Sequence, residues 1–207
     1  MKKKAIIFDL DNTIYSVKSI GDELFAPLFD LIFKDAGHAE EEDKIREDIM
    51  RRPFQQVAKD YQFSKELTEQ GIAHLKEARF EGDIQPFEDY VHVKKLPLDK
   101  FLVTTGFMKL QQSKVERMNL RSDFKDIQIV DPMVSDKTKK DVFAEIMDKH
   151  GYDKAEVLVV GDDLHSEIKA AQELGIDAIL YDKSNGQNNR VQVMKISNFN
   201  QLQSILS

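Results

Sequence analysis

The chain has 207 residues, of which 41% are hydrophobic and 32% are charged, and its formal net charge is -7. This length predicts one α/β domain with a sizeable core and a modest insertion. The acidic balance argues against a nucleic acid polymer as a partner, because phosphate backbones select basic surfaces. Since the chain has no cysteine, disulfides, thiolate chemistry and cysteine-ligated zinc are excluded.

No apolar stretch approaches the roughly 20 residues that span a bilayer, so we expect no contact with a membrane. The first apolar run ends at Asp9 after a few residues, too early for the core of a signal peptide. The sequence therefore predicts a soluble, cytoplasmic protein. It gives no prediction of the oligomeric state.

The first predicted strand covers residues 4–8 and runs into Asp9-Leu10-Asp11-Asn12-Thr13. Side chains two residues apart share a face of a strand, so Asp9 and Asp11 are expected beside each other at its carboxyl end. Two carboxylates this close repel each other, and burial adds to the cost, so we expect a cation near them. The pair therefore predicts a metal-dependent active site.

The segment 15–85 has helical periodicity and no strand candidate of its own. Its apolar residues recur at spacings of three and four, and Gly37 stands where a glycine would end the first helix. The predicted helices cover residues 22–36, 40–50, 53–61 and 65–79. We interpret this segment as an insertion into a core formed by residues 1–14 and 86–207.

Strands and helices alternate in the rest of the chain. Strands are predicted at residues 101–106, 127–130, 157–163, 178–181 and, at an edge, 191–196. A polar loop is predicted at 186–190. Helices are predicted at residues 109–118, 137–150, 167–174 and 199–206, with a helix or a turn at 86–93. This alternation predicts a doubly wound parallel sheet covered by helices on both faces.

Three predicted strands end in polar turns that could carry chemistry. They are Asp9/Asp11, Thr104-Thr105-Gly106 and Asp162-Asp163. Ligands of such sheets bind at the carboxyl ends of the strands, so these turns are expected to meet at one edge.

Four stretches resemble, in order and at suitable spacing, the motifs of the haloacid dehalogenase-like (HAD) superfamily. They are Asp9-Leu10-Asp11-Asn12-Thr13, Thr104, Lys137 and Gly161-Asp162-Asp163. The resemblance implies a Rossmann-like core, and it identifies the segment 15–85 as a helical cap domain. It also implies a Mg²⁺-dependent phosphatase that acts on a small phosphorylated metabolite.

The family resemblance gives the two aspartates of the first motif different roles. Asp9 would attack phosphorus and form an aspartyl-phosphate intermediate. Asp11 would protonate the leaving oxygen and then activate water, a role for which the anionic site would have to raise its pKa. Because dehalogenase members lack this second aspartate, Asp11 indicates phosphoryl transfer.

The other motifs would bind phosphate and metal. Thr104 would hydrogen-bond the phosphoryl group, together with backbone N–H groups of the turn Thr105-Gly106. Mg²⁺ would be held by Asp9, Asp162 and the carbonyl of Asp11. Among the lysines at 137, 139 and 140, the resemblance selects Lys137, through its six-residue offset from Phe143, to offset the negative charge.

The sequence departs from the family pattern at two positions. Thr105 stands where many members have asparagine, and Glu167 stands where members often have aspartate. Asp163 is the alternative to Glu167 as a carboxylate in the outer shell of the metal. Asp162 and Asp163 could also form only a turn and a helix cap.

Some residues have a structural interpretation beside a functional one. The turn that begins at Thr104 could be structural, and His165 could lie on the helix surface. The spacing of Phe25, Phe29 and Phe33 favours packing over a substrate pocket. Arg51 and Arg52 are expected in solvent, with substrate contact as the alternative.

The substrate and the reaction retain alternatives. Asp-Asn-Thr-Ile-Tyr followed by Ser-Ile-Gly is similar to the pyrimidine 5′-nucleotidase-like members, which makes a nucleoside monophosphate the leading substrate. A sugar-phosphate phosphomutase would use the same Asp9 and return the phosphoryl group. A non-catalytic binding protein on this fold would not need all four motifs.

Overall fold

The computed structural model describes residues 2–34, 36–183 and 193–206. Within these ranges, one sheet contains strands β1 (Ala5–Phe8), β2 (Asp99–Thr105), β3 (Asp126–Val130), β4 (Val157–Gly161), β5 (Asp177–Tyr181) and β6 (Met194–Ile196). All neighbouring strands are parallel, in the order β3-β2-β1-β4-β5-β6. The predicted doubly wound sheet is confirmed.

The pairing register of the central strands determines where their carboxyl ends lie relative to one another. Phe8, the last residue of β1, lies beside Leu102 of β2 and Val160 of β4. The Asp9 N–H still donates to the carbonyl of Val160, at 3.0 Å. The carboxyl ends of these three strands therefore lie together at one edge of the sheet. They lie at the point where the order in which the chain adds strands to the sheet reverses.

The helices have the following bounds. They are α1 (Lys18–Phe33), α2 (Glu42–Ile49), α3 (Phe54–Asp60), α4 (Lys65–Glu77), α5 (Tyr90–Lys94), α6 (Met108–Arg117), α7 (Lys139–His150), α8 (Glu167–Leu174) and α9 (Gln201–Leu206). Short 3₁₀ helices cover Ala36–Glu41, Leu120–Ser122 and Lys154–Glu156.

The boundaries differ from the predicted ones mainly around α1. This helix begins at Lys18 and ends at Phe33, so the prediction that Gly37 ends it is wrong. The last buried residue of α1 is Ile32, and the chain then tightens into the 3₁₀ turn that contains Gly37. The predicted loop at 186–190 and the start of the predicted strand at 191–196 lie outside the described residues.

Two apolar layers cover the sheet because alternate strand residues point to opposite faces. Ile6 and Phe8 belong to one layer, and Ala5 and Ile7 to the other. The first layer is continuous with buried residues of α1, α2, α3 and α4. Between residues 15 and 85 the described chain is helical and holds no strand, apart from the isolated bridge of Tyr15. Its division from the core as a cap domain stays a prediction.

No helix in the described parts of the chain is long and apolar enough to cross a membrane.

Two glycines within helices test how tightly the helical segment is packed. A Cβ added to Gly71 of α4 would lie 2.6 Å from Cε1 of the Phe54 ring. A Cβ added to Gly21 of α1 would meet only the Met50 side chain, with Sδ at 2.7 Å. Methionine is flexible and half-buried here, whereas the Phe54 ring is buried and packs on Phe63.

We expect Gly71→Ala to destabilise the protein by about 1–3 kcal/mol through overpacking, although alanine favours helix. Gly21→Ala is the matched control, and its free energy of unfolding should change by less than about 1 kcal/mol. Urea unfolding of both variants measures the difference. Equal stability of the two variants would contradict the tight contact between α3 and α4.

Candidate active site

The carboxyl ends of β1, β2 and β4 open into a cleft of about 1060 Å³. The other wall of the cleft is formed by residues 47–56, which are the end of α2, the start of α3 and the residues between these helices. Its lining includes these predicted site residues: Asp9, Asp11, Thr104, Thr105, Gly106 and Asp162. The structure thus brings together three of the four sequence motifs, as we predicted from their positions at the ends of strands.

The buried centre of the cleft is an ion triplet. Lys139 Nζ lies 2.6 Å from Asp9 Oδ1 and 2.7 Å from Glu167 Oε2. All three side chains are buried. Burial opposes the charge on Lys139, but Asp9 and Glu167 outweigh this effect and raise its pKa. The ammonium therefore stays charged between the two carboxylates.

The structure corrects the predicted lysine. Lys137 is half-exposed and pairs with Glu145 at 2.6 Å, so the expectation that it offsets charge at Asp9 is wrong. Helix α7 begins at Lys139, after the capping residue Thr138. Lys139 lies three and four residues before Val142 and Phe143, on the buried face of α7, and this spacing was the signal in the sequence.

Three carboxylates form the group that could hold a metal ion. Asp9, Asp162 and Glu167 each have an oxygen within 4.8 Å of the others. The Asp11 carboxylate is not among them, and coordination by its carbonyl stays a prediction. From the sequence we expected Glu167 only in the outer shell of the metal, whereas its carboxylate belongs to this group.

The backbone around Asp162 fits the longer Glu167 side chain. A Cβ added to Gly161 would overlap the Glu167 carboxylate, so only glycine leaves room for it. Glu167 also accepts a hydrogen bond from the Asp163 N–H, at 2.6 Å. The Asp163 carboxylate itself accepts from the His165 N–H at 2.7 Å, which agrees with a turn-forming role.

The carboxylates of this group carry more negative charge than Lys139 offsets. Burial raises the pKa of Asp9 to about 7, although the neighbouring Lys139 lowers it. Burial, and next the Asp9 and Glu167 carboxylates, raise the pKa of Asp162 to about 9. Since a nearby cation would favour the ionised forms, these shifts indicate a place suited to a divalent metal.

Asp11 lies in a separate network. Its carboxylate accepts from the Tyr15 hydroxyl at 2.6 Å and from Gln111 Nε2 at 2.9 Å. Lys114 Nζ, which is buried, contacts both of its oxygens at 2.9 and 3.0 Å. The sequence reasoning missed Tyr15, Gln111 and Lys114, although Gln111 and Lys114 are spaced to share one face of α6.

The pKa of Asp11 differs from the expectation. Burial would raise it, but the Lys114 ammonium and the hydrogen bonds from Tyr15 and Gln111 outweigh burial, so the pKa is lowered. The prediction that crowding by other anions raises this pKa is therefore wrong for the structure as it stands. The reason is that the donors around Asp11 come from α6 and Tyr15, which the motif does not contain.

The residues at the end of β2 and in the turn after it have different contacts. Thr104 is buried, and its Oγ1 accepts from Gln111 Nε2 at 2.6 Å. The Gly106 N–H donates to the carbonyl of Val130 at 3.0 Å, so this N–H is already used and the expectation that it binds phosphate is wrong. Thr105 is exposed at the cleft.

Some residues of the helical segment 15–85 pack in the interior, and others line the cleft. Phe29 is buried and lies under the Arg46 guanidinium, at 4.2 Å from the ring centroid, whereas Phe25 lines the cleft. Arg52 pairs with Asp48 and Asp60. Arg51 lines the cleft as well, with an exposed side chain 3.6 Å from Glu47.

Comparison with known proteins agrees with this architecture. The chain is 21% identical over 194 residues to the glyceraldehyde 3-phosphate phosphatase of Methanopyrus kandleri, covering 84% of this chain and 81% of that protein.

Two solved structures share the fold. The HAD phosphatase of Thermococcus onnurineus has a TM-score of 0.66 at 19% identity, over 99% of this chain and 98% of that one. A candidate HAD-hydrolase of Bacillus subtilis, YfnB, has a TM-score of 0.66 at 18% identity over 100% of both chains.

A family model described as haloacid dehalogenase-like hydrolase matches residues 6–181. The match covers most of the chain, including β1 to β5 and every predicted site residue. The expected kind of enzyme, a hydrolase on this fold, is thereby confirmed. The chain belongs to the haloacid dehalogenase-like hydrolase family.

Proposed function

We propose that the protein is a Mg²⁺-dependent phosphatase that hydrolyses a small phosphate monoester through an aspartyl-phosphate on Asp9. One observation carries the proposal. Two aspartates at the end of one strand lie in different networks, Asp9 with Lys139 and Asp11 with Tyr15, Gln111 and Lys114. One carboxylate is thus suited to attack and the other to move a proton.

In the first half of the reaction, a carboxylate oxygen of Asp9 forms a bond to phosphorus and the bond to the ester oxygen breaks. Asp11 gives its proton to that oxygen, and the alcohol leaves. In the second half, Asp11 takes a proton from water as the water oxygen attacks phosphorus. The bond to Asp9 then breaks, and inorganic phosphate is released.

Asp11 must carry a proton for the first half, and its lowered pKa favours the ionised form. A bound phosphate dianion adds negative charge close to Asp11, beyond the charges of the protein itself. Like charge disfavours ionisation, so substrate binding moves this pKa upward. The lowered pKa before binding suits Asp11 as the base of the second half.

The charges of the site support a metal in this scheme. Asp9, Asp162 and Glu167 offer only oxygen ligands, which Mg²⁺ prefers, and the carbonyl of Asp11 is the expected further ligand. When bound, Mg²⁺ would offset the charges of the carboxylates and of the phosphate dianion. The structural relative from Bacillus subtilis was crystallised bound to magnesium, which supports the choice of ion.

The alternatives differ in what happens to the phosphoryl group. Dehalogenation would not need Asp11, since no leaving oxygen has to be protonated. A phosphomutase would return the phosphoryl group to a second position of the sugar, and free phosphate would not accumulate. A non-catalytic protein would gain nothing from the buried, charged groups around Asp9, which are costly to maintain.

We propose a small phosphorylated metabolite as the substrate, with a nucleoside monophosphate as the leading candidate. The location that we propose for the protein is the cytoplasm. The volume of the cleft, about 1060 Å³, slightly exceeds the range of roughly 300–1,000 Å³ for small-molecule sites, so a nucleotide would fit. Because one relative is named a glyceraldehyde 3-phosphate phosphatase, triose phosphates are the alternative substrates.

We expect Mg²⁺-dependent release of inorganic phosphate from at least one member of a panel of nucleotides, triose phosphates and sugar phosphates. EDTA should abolish the activity and added Mg²⁺ should restore it, because the acidic group near Asp9 needs a divalent ion. Activity on a sugar phosphate with none on any nucleotide would remove the nucleotide proposal. An isomerised sugar phosphate without free phosphate would identify a phosphomutase.

Asp11→Asn should lower kcat for an alkyl phosphate at least about 100-fold, since asparagine cannot donate or accept the proton in transfer. The amide has nearly the same shape, so the thermal unfolding midpoint should change little. Steady-state phosphate release and a thermal melt measure the two effects. Turnover within about twofold of the unchanged protein would refute the acid and base role.

Lys139→Met should abolish phosphate release, because Asp9 and Glu167 lose the buried cation that they share. It should also destabilise the protein by about 3–5 kcal/mol, as expected when one partner of a buried ion pair is removed. Lys137→Met is the matched control and should change neither quantity, since Lys137 is half-exposed. A larger loss of activity in Lys137→Met would reinstate the lysine that the sequence motif selected.

A further inference from the structure

Gln111 of α6 lies between two motifs of the site. It is buried, and its Nε2 is 2.9 Å from Asp11 Oδ2 and 2.6 Å from Thr104 Oγ1. A third acceptor, the carbonyl of Thr105, is farther away at 3.3 Å. One amide group therefore joins the Asp11 carboxylate, which lies three residues after β1, to Thr104 near the end of β2.

The partners decide how this amide is oriented. An ionised carboxylate only accepts hydrogen bonds, so the nitrogen of the amide must face Asp11. The nitrogen has two hydrogens, and the shorter contacts assign one to Asp11 and the other to Thr104. Since Thr104 Oγ1 accepts from Gln111, its own hydroxyl hydrogen points away from Gln111.

We propose that Gln111 is a positioning residue for the hydrolytic reaction: its amide holds the Asp11 carboxylate in place and turns the Thr104 hydroxyl into a donor toward the bound phosphoryl group. The proposal rests on the proposed function, because it assumes that Asp11 moves the proton. It gives Gln111 a role that is separate from the charge supplied by Lys114.

The turn beside Gln111 is built to admit its side chain. A Cβ added to Gly106 would lie 3.0 Å from Cγ and 3.1 Å from Cδ of Gln111, and the φ angle of Gly106 is +154°. Both the space and the backbone conformation therefore favour glycine. This gives Gly106 a function in place of the phosphate contact expected from the sequence.

The proposal predicts a selective defect. p-Nitrophenolate leaves as a stable anion and needs little help from an acid, whereas the alkoxide of benzyl alcohol needs a proton from Asp11. Loss of the group that positions Asp11 should therefore slow benzyl phosphate more than p-nitrophenyl phosphate. A purely structural residue would slow both substrates by the same factor.

Gln111→Leu tests the proposal, with Gln112→Leu as the matched control. Gln112 is the next residue of α6 and lines a different groove, beside Ile127 and Gln128. We expect Gln111→Leu to lower kcat/KM for benzyl phosphate at least about tenfold more than kcat/KM for p-nitrophenyl phosphate. This quantity reports the first half of the reaction and excludes the hydrolysis of the aspartyl-phosphate that both esters share. Gln112→Leu should leave the ratio of the two kcat/KM values unchanged.

A thermal melt accompanies each variant, and Gln111→Met provides a second variant of nearly the same length. Methionine cannot donate a hydrogen bond to Asp11 or Thr104, so the same selective defect is expected even if Gln111→Leu does not fold. An unchanged ratio in a folded variant, or unfolding of both variants, would overturn the positioning role. Inactivity of the unaltered protein on both esters would instead remove the proposed function, and this inference with it.

Discussion

The ammonium of Lys139 is the charge on which the centre of the molecule depends. It lies between Asp9 and Glu167, and all three side chains are buried. Isolated charges are very costly in a protein interior, so the strand end that presents Asp9 and the helix that presents Glu167 need this cation to pack together. With Asp162 added, however, the carboxylates outnumber the single lysine. This excess of carboxylates is the property that makes the group suited to hold a metal ion.

Asp9 and Asp11 show how one strand can supply two carboxylates of different character. Asp9 lies beside the buried Glu167 and the half-buried Asp162, and burial raises its pKa to about 7. Asp11, only two residues later, meets the donors of Tyr15 and α6, which outweigh burial and lower its pKa. Neither environment comes from the motif itself. The groups that surround the strand end therefore shift the pKa values of two chemically identical side chains in opposite directions.

The sheet and the edge that carries the site could be predicted from the sequence. Apolar runs such as 157–160, and the polar turns that follow them, are local signals in the sequence. The sequence was not sufficient for the choice between Lys137 and Lys139. That choice depends on where α7 begins, which the capping contacts of Thr138 and Asp141 determine. Gln111 could not be found either, since a polar residue on a helix carries no mark of its distant partners. These contacts span up to 130 residues of sequence, as between Lys139 and Asp9.

Gly161 and Glu167 illustrate how two positions of such a site are tied together. The backbone of β4 approaches Glu167 so closely that any side chain at 161 would overlap the carboxylate. The Cγ atom of Glu167 is itself among the atoms that such a side chain would overlap. An aspartate at 167 would place its carboxyl carbon at this same Cγ position, so a shorter acid would not make room for a side chain at 161. In related chains, glycine should accordingly stand at 161 whether the acid at 167 is aspartate or glutamate.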